Sequence, residues 1–150
     1  MSVLSAQSIR QLVGMIDPFV PETKKHANGM SYGCSGASYD VRVRQDLWVK
    51  HHGGVYLAST LERFRMPNGV CGVVHDKSTW ARKGLQVQNT FIDPGWVGYL
   101  TLELSFEGNY DLIIEAGQPI AQIVFHWLDE PVAPYSGKYQ DQPNYAVGPR

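Results

Sequence analysis

Cysteine is nearly absent: the chain has two, Cys34 and Cys71, in 150 residues. Two are too few for a disulfide framework. With no Cys-x-x-Cys and no paired histidine spacing, no protein-held metal is expected and both should be reduced thiols. Net charge is equally scarce, at a formal −1, which leaves no basic field for gripping a nucleic-acid backbone. Polymeric DNA and RNA are therefore not expected as partners. No apolar run approaches the roughly 20 residues of a membrane span. The first residues also lack the basic, then apolar, then small-residue order of a secretory leader. The expected setting is cytoplasmic, without membrane contact. Three mechanistic signatures are missing as well: a phosphate loop ending in Gly-Lys-Ser or Gly-Lys-Thr, a Gly-x-Ser-x-Gly elbow, and the His-x-Glu with downstream Pro-Cys-x-x-Cys that holds a hydroxide-generating zinc.

What is present concentrates between Val73 and Glu103. In KSTWARKG, Lys77, Ser78 and Arg82 fall in a segment long enough for one or two helical turns before Gly84, a residue type that commonly ends a helix in the left-handed conformation. Ser78 and Arg82 are four apart, so a helix would project them from one face. A hydroxyl, a guanidinium and the backbone donors of the helix start would then converge on an anion; a short solvated helix with no such role is the plainer alternative. Asp93-Pro94-Gly95-Trp96 has turn chemistry, because Pro94 pre-sets the second turn position and Gly95 supplies the positive φ that a type II turn needs at the third. In VGYLTLELSF, Leu100, Leu102, Leu104 and Phe106 share one parity while Thr101 and Glu103 share the other, the pattern of a half-buried strand. Glu103 is thereby placed off the core face. It is either an ordinary solvent-facing glutamate or a general base held on a rigid strand.

No shift of composition divides the chain, and residues 1–150 are read as one domain. Ser5 to Val13 predicts a short helix capped by Ser5, with Ile9, Leu12 and Val13 on one face. From Asp17 to Gly36 an irregular lead-in is expected. SYDVRVRQDLWV alternates as a strand, with Asp40 and Arg42 expected in structural ion pairs. VYLASTLERFRMP, VCGVVH, YDLIIEAG and PIAQIVFHWL add further short strands between turn signals. Many short strands and one brief central helix argue for an all-β sandwich or jelly roll. Asp129 to Arg150 has the composition of a flexible tail.

KSTWARKGL followed by FIDPGWVGYLTLEL resembles the central signature of the dCTP deaminase branch of the dUTPase-like superfamily, trimeric all-β enzymes acting on pyrimidine deoxynucleoside triphosphates. GASYDVRV, LASTLERFRMP, AGQPIAQIVF and GKYQDQ are similar to other blocks of that family, in its order, so the resemblance covers most of the chain. It implies a distorted jelly roll with short helices, assembled as a homotrimer with sites between subunits. It implies hydrolytic deamination of dCTP to dUTP and ammonia, without zinc. Glu103 would serve as carboxylate base and acid in turn, with Ser78 and Arg82 positioning water and stabilising developing charge. Lys77 would contact phosphate. Magnesium would ride on the triphosphate. Residues 129–150 would form a lid in which Lys138, Tyr139 and Gln142 stand where the family has its Lys-Tyr and Gln.

One departure keeps a second activity open. Between Ala81-Arg82 and Ile92-Asp93 the deaminases carry two more residues and a His-x-Thr-Ala pattern forming a base-recognition hairpin, whereas this chain has KGLQVQNTF. The shorter spacing resembles dUTP pyrophosphatases. Gln88, Asn89 and Thr90 would occupy the tip, and an amide offers both a donor and an acceptor, so these residues do not separate cytosine from uracil. Against a simple pyrophosphatase, Gln86 stands where those enzymes have a carboxylate. Asp93 is the residue that would serve phosphate cleavage in a bifunctional enzyme. A non-catalytic nucleotide binder is the third reading.

Overall fold

The computed structural model of the chain describes residues 2–150. In chain order the elements are β1 (Ser2–Val3), α1 (Ala6–Gln11), β2 (Ile16–Asp17), β3 (Lys24–Lys25), β4 (Ser31–Ser35), β5 (Ser38–Arg42), β6 (Leu47–Val49), β7 (Val55–Arg65), β8 (Val70–Asp76), α2 (Ser78–Ala81), β9 (Leu85–Val87), β10 (Phe91–Ile92), β11 (Val97–Phe106), β12 (Leu112–Ile114) and β13 (Pro119–Trp127). One sheet runs β10-β8-β13-β5-β4-β3 with β1 added against β13, a second runs β2-β7-β11-β9, and β12 pairs β6 as a separate ribbon. The pairings are antiparallel. The result is all-β, as the strand pattern argues, and is the distorted jelly roll that the resemblance implies. Among the described residues no helix is long and apolar enough to cross a membrane.

Alternation explains how the sheets close on each other. Leu100, Leu102, Leu104 and Phe106 of β11 are buried, while Glu103 between them is exposed. They share one core with Phe64 of β7 and with Tyr39, Val41, Ile123 and Phe125 of the larger sheet. Period-2 strands bury one face in this way because successive side chains point to opposite sides. Between the layers the Arg42 Nε donates to Glu62 at 2.9 Å, and the Arg42 amide donates to the other carboxylate oxygen at 3.0 Å. Glu62 is fully buried; burial pushes its pKa up, and the hydrogen bonds from Arg42 act in the opposite direction.

Two local expectations are corrected. The Ser5 hydroxyl caps α1 by accepting from the Ser8 amide, but the helix ends at Gln11 and Val13 is 94% exposed. The lead-in between Asp17 and Gly36 contains β3 and β4, the latter joined to β5 with Cys34 opposite Tyr39. SYGCS has no alternation to announce a strand; pairing with the next strand, β5, across a short turn makes it one.

Candidate functional site

A cleft of about 270 Å³ lies over the outward face of β11, with Thr101 and Glu103 in its floor. The ladder beside it is irregular: Tyr99 faces Arg63 and Thr101 faces Ser59, so β7 carries extra residues opposite Leu100. Such a bulge bends a strand locally and re-aims its side chains. Glu103 is exposed, and no hydrogen bond within the described residues engages its carboxylate. Thr101 has the same outward parity yet is only 6% exposed, because the connector after β9 and the C-terminal segment lie over it.

The connector between β9 and β10 is not a hairpin. β9 pairs with β11 and β10 pairs with β8, so Gln88, Asn89 and Thr90 cross from one sheet to the other. Gln88 and Thr90 keep exposed side chains, and Thr90 lines the cleft while Gln88 does not. The Asn89 side chain is tied down: its Nδ2 donates to the Thr101 carbonyl at 2.8 Å and its Oδ1 accepts from the Glu103 amide at 2.8 Å. An amide expected to read a pyrimidine edge is engaged with backbone.

The segment from Lys77 to Gly84 folds as its sequence predicts. α2 is a single turn in which the Arg82 amide donates to the Ser78 carbonyl, placing the two side chains one turn apart, and both are exposed. Gly84 ends the turn at φ +100°, and a Cβ there would stand 2.7 Å from the Gly108 amide nitrogen. Only glycine fits both conditions. Lys77 is a different case. Its ammonium donates to Asp40 Oδ2 at 2.8 Å in a pair whose side chains are 11% and 5% exposed. The other Asp40 oxygen has no hydrogen-bond partner among the described residues.

Lys77, Ser78 and Asp40 line a second, polar bay of about 350 Å³ together with Ser31, Asp76 and Gln122. Glu103 lines the first cleft and not this bay, and Arg82 lines neither. One chain therefore brings Ser78 to Lys77 but does not bring the two to Glu103. Among the described residues no three His, Cys, Asp or Glu side chains gather as metal ligands.

Asp93-Pro94-Gly95-Trp96 is the expected turn, with the Trp96 amide donating to the Asp93 carbonyl at 3.1 Å and Gly95 at φ +78°. The carbonyl closes the turn, and no hydrogen bond within the described residues engages the Asp93 carboxylate, which borders the Glu103 cleft. The C-terminal segment docks across this turn. The Tyr135 amide donates to the Pro94 carbonyl, the Trp96 indole to the Tyr139 carbonyl at 2.7 Å, and the Val147 amide to Thr101 Oγ1 at 3.1 Å. A tail by composition thus lies ordered along the cleft. Within it, Tyr139 borders the cleft, the Gln142 side chain donates to the Tyr99 carbonyl at 3.2 Å, and Lys138 is exposed with its ammonium against the Arg150 carbonyl. Leu57, Thr101 and Tyr135 also line the cleft without having been singled out in the sequence. Only Thr101 left a trace there, through its parity with Glu103.

A profile of the dCTP deaminase-like family matches residues 40–128. A dCTP deaminase of Neisseria meningitidis serogroup B is 35% identical over 164 aligned positions, covering 87% of this chain and 87% of the relative. One from Dechloromonas aromatica is 33% identical over 180 positions, covering 95% of this chain and 96% of the relative. Both alignments are longer than the chain itself, so these relatives carry internal segments that it lacks. Among solved structures, native EIAV dUTPase superposes with a TM-score of 0.58 at 20% identity, covering 77% of this chain and 92% of that one. The dCTP deaminase from Agrobacterium tumefaciens gives 0.60 at 17% identity, covering 82% of this chain and 47% of that one. At such identities these structures speak to the fold.

Proposed function

The chain belongs to the dCTP deaminase-like family, and from that premise we propose that it is a hydrolase converting dCTP and water to dUTP and ammonia. The observation that carries this reading is Glu103, an exposed carboxylate on a rigid strand in the floor of the cleft, with its peptide groups fixed on both sides. A water oxygen adds to C4 of cytosine while Glu103 takes one water proton and passes it to ring N3. The second proton then travels through Glu103 to the exocyclic nitrogen as the C4–N4 bond breaks, releasing ammonia and leaving the uracil carbonyl. A carboxylate serving as base and then acid contributes on the order of 10²–10⁴ in rate.

Ser78 and Arg82 complete the chemistry from a neighbouring copy, positioning water and holding the charge that develops on ring and phosphates. Support for a shared site is the separation of the Glu103 cleft from the Ser78 bay within one chain, and the homotrimer is what the family resemblance implies. Lys77 reaches a phosphate by sharing its ammonium with Asp40. Gln88 and Thr90 flank the base; Lys138, Tyr139 and Gln142 belong to a lid, residues 129–150, that excludes water from the cleft. Residues 1–150 act as one domain. Magnesium enters as part of the triphosphate substrate, and the reaction belongs to the cytoplasmic nucleotide pool.

A second activity, release of pyrophosphate to leave dUMP, is favoured by one observation: the Asp93 carboxylate beside the cleft is not used to hold its own turn. The test of the main reading is Glu103→Gln. Turnover of dCTP should fall by at least about 10²-fold while triphosphate binding is retained, and an active Gln variant would remove the proposed base. A protein that only binds nucleotide would release no ammonia even as wild type.

A further inference from the structure

The regular ladder between β9 and β11 ends with Val87 opposite Leu104. Beyond it the Gln88 amide donates to the Glu103 carbonyl at 2.8 Å, and then a side chain takes over from the backbone. Asn89 Oδ1 accepts from the Glu103 amide and Asn89 Nδ2 donates to the Thr101 carbonyl, each at 2.8 Å. These peptide groups of Thr101 and Glu103 point away from β7, and β9 has no further strand residue to meet them. Asparagine suits this place because its amide carries a donor and an acceptor in the arrangement of a peptide unit. Aspartate lacks the donor, alanine lacks both, and glutamine is one methylene too long.

We propose that Asn89 is a positioning residue for Glu103: its side chain stands in for the missing strand residue and fixes the peptide groups from which the carboxylate projects. The inference rests on Glu103 being the base. With no hydrogen bond from the described residues to the carboxylate, the backbone sets its direction, and the neighbouring β7 bulge makes the other side of the ladder irregular at Leu100. Misplacement of a catalytic group by about 1 Å can cost on the order of 10²-fold in rate. Asn89 thereby acts on turnover without touching the base, which differs from reading the pyrimidine edge.

The experiment compares wild type with Asn89→Ala, Asn89→Asp, Glu103→Gln and the double variant Asn89→Ala/Glu103→Gln, each shown by thermal melting to be folded at the assay temperature. Asn89→Ala should lower kcat by about 10–100-fold with KM changed less than about threefold. Asn89→Asp keeps an acceptor for the Glu103 amide but adds a negative charge near the carboxylate. The acid limb of its pH–kcat profile should move to higher pH than in wild type. In the Glu103→Gln background, adding Asn89→Ala should cost little more, because residues that act as a unit are not additive. A raised KM with unchanged kcat, a full additional loss in the double variant, or a melting-point drop with normal kcat and an unmoved pH profile would each overturn the proposal. Wild-type activity of Glu103→Gln would instead remove its premise, and the single variant shows that separately.

Discussion

Replacing Lys77 with methionine removes the cation bound to Asp40 and leaves a carboxylate that is 5% exposed with one oxygen unpartnered and the other held by the Ser31 hydroxyl at 3.2 Å. Breaking a buried ion pair by removing one partner costs about 3–5 kcal/mol, because the remaining charge stays buried without compensation. The bay beside Asp40 is polar and open enough to admit water, which places the cost near the lower figure, about 3 kcal/mol. For a chain of this size each kcal/mol moves the melting temperature by about 2–4 °C, so Lys77→Met should melt about 6–12 °C below wild type. The double variant Asp40→Asn/Lys77→Met removes the stranded charge and should recover at least about half of the loss. Thermal denaturation of the three proteins, with triphosphate affinity measured below their melting points, separates a structural pair from a free phosphate ligand. A Lys77→Met protein melting within about 2 °C of wild type, or a double variant no better than the single one, would refute the reasoning.

Thr101→Val removes the hydroxyl that accepts from the Val147 amide; losing a hydrogen bond worth about 1 kcal/mol should raise KM a few-fold and speed proteolysis of the C-terminal segment. Gly95→Ala places a Cβ 2.5 Å from Pro134 Cα in a residue at φ +78°, so the segment should lose its seat on the turn and the protein should lose at least about 1 kcal/mol in denaturant titration. Mixing Glu103→Gln with Arg82→Ala by co-refolding should regenerate roughly a quarter of wild-type sites if neighbouring copies share them; no recovery of activity would contradict sharing. Asp111 accepts from the His51 amide, the His51 ring and the Trp48 indole, which hold its carboxyl well below the usual range. Its stabilising contribution is therefore fully present above the unfolded value near pH 4 and is lost between there and the much lower folded value as pH falls. Asp111→Asn should be less stable than wild type at pH 7, with the difference shrinking below about pH 4.

Features set by neighbours in sequence were legible. The alternation of β11, the turn at Asp93 to Trp96 and the one-turn spacing of Ser78 and Arg82 depend on residues two to four apart, and each formed as expected. Features set by distant partners were not. Lys77 is bound to a residue 37 positions away, and Asn89 is occupied by backbone 12 and 14 positions on. For the connector at Gln88 to Thr90 the resemblance implies a hairpin with these residues at its tip. The connector crosses between sheets because β10 finds its partner in β8, a choice made by packing and not by local propensity. The C-terminal segment has no apolar period, and polar anchors hold it: Trp96 and Val97 meet Tyr139, Gln140 and Asp141 from more than 40 positions away.

The most direct test of the central claim is incubation of the purified protein with magnesium and either dCTP or dUTP, with nucleotides resolved by chromatography and ammonia and pyrophosphate measured separately. The account predicts equimolar ammonia and dUTP from dCTP, and further conversion to dUMP with pyrophosphate if Asp93 serves the second activity. Pyrophosphate from dUTP with no ammonia from dCTP would contradict the assignment of Glu103 as a deaminating base.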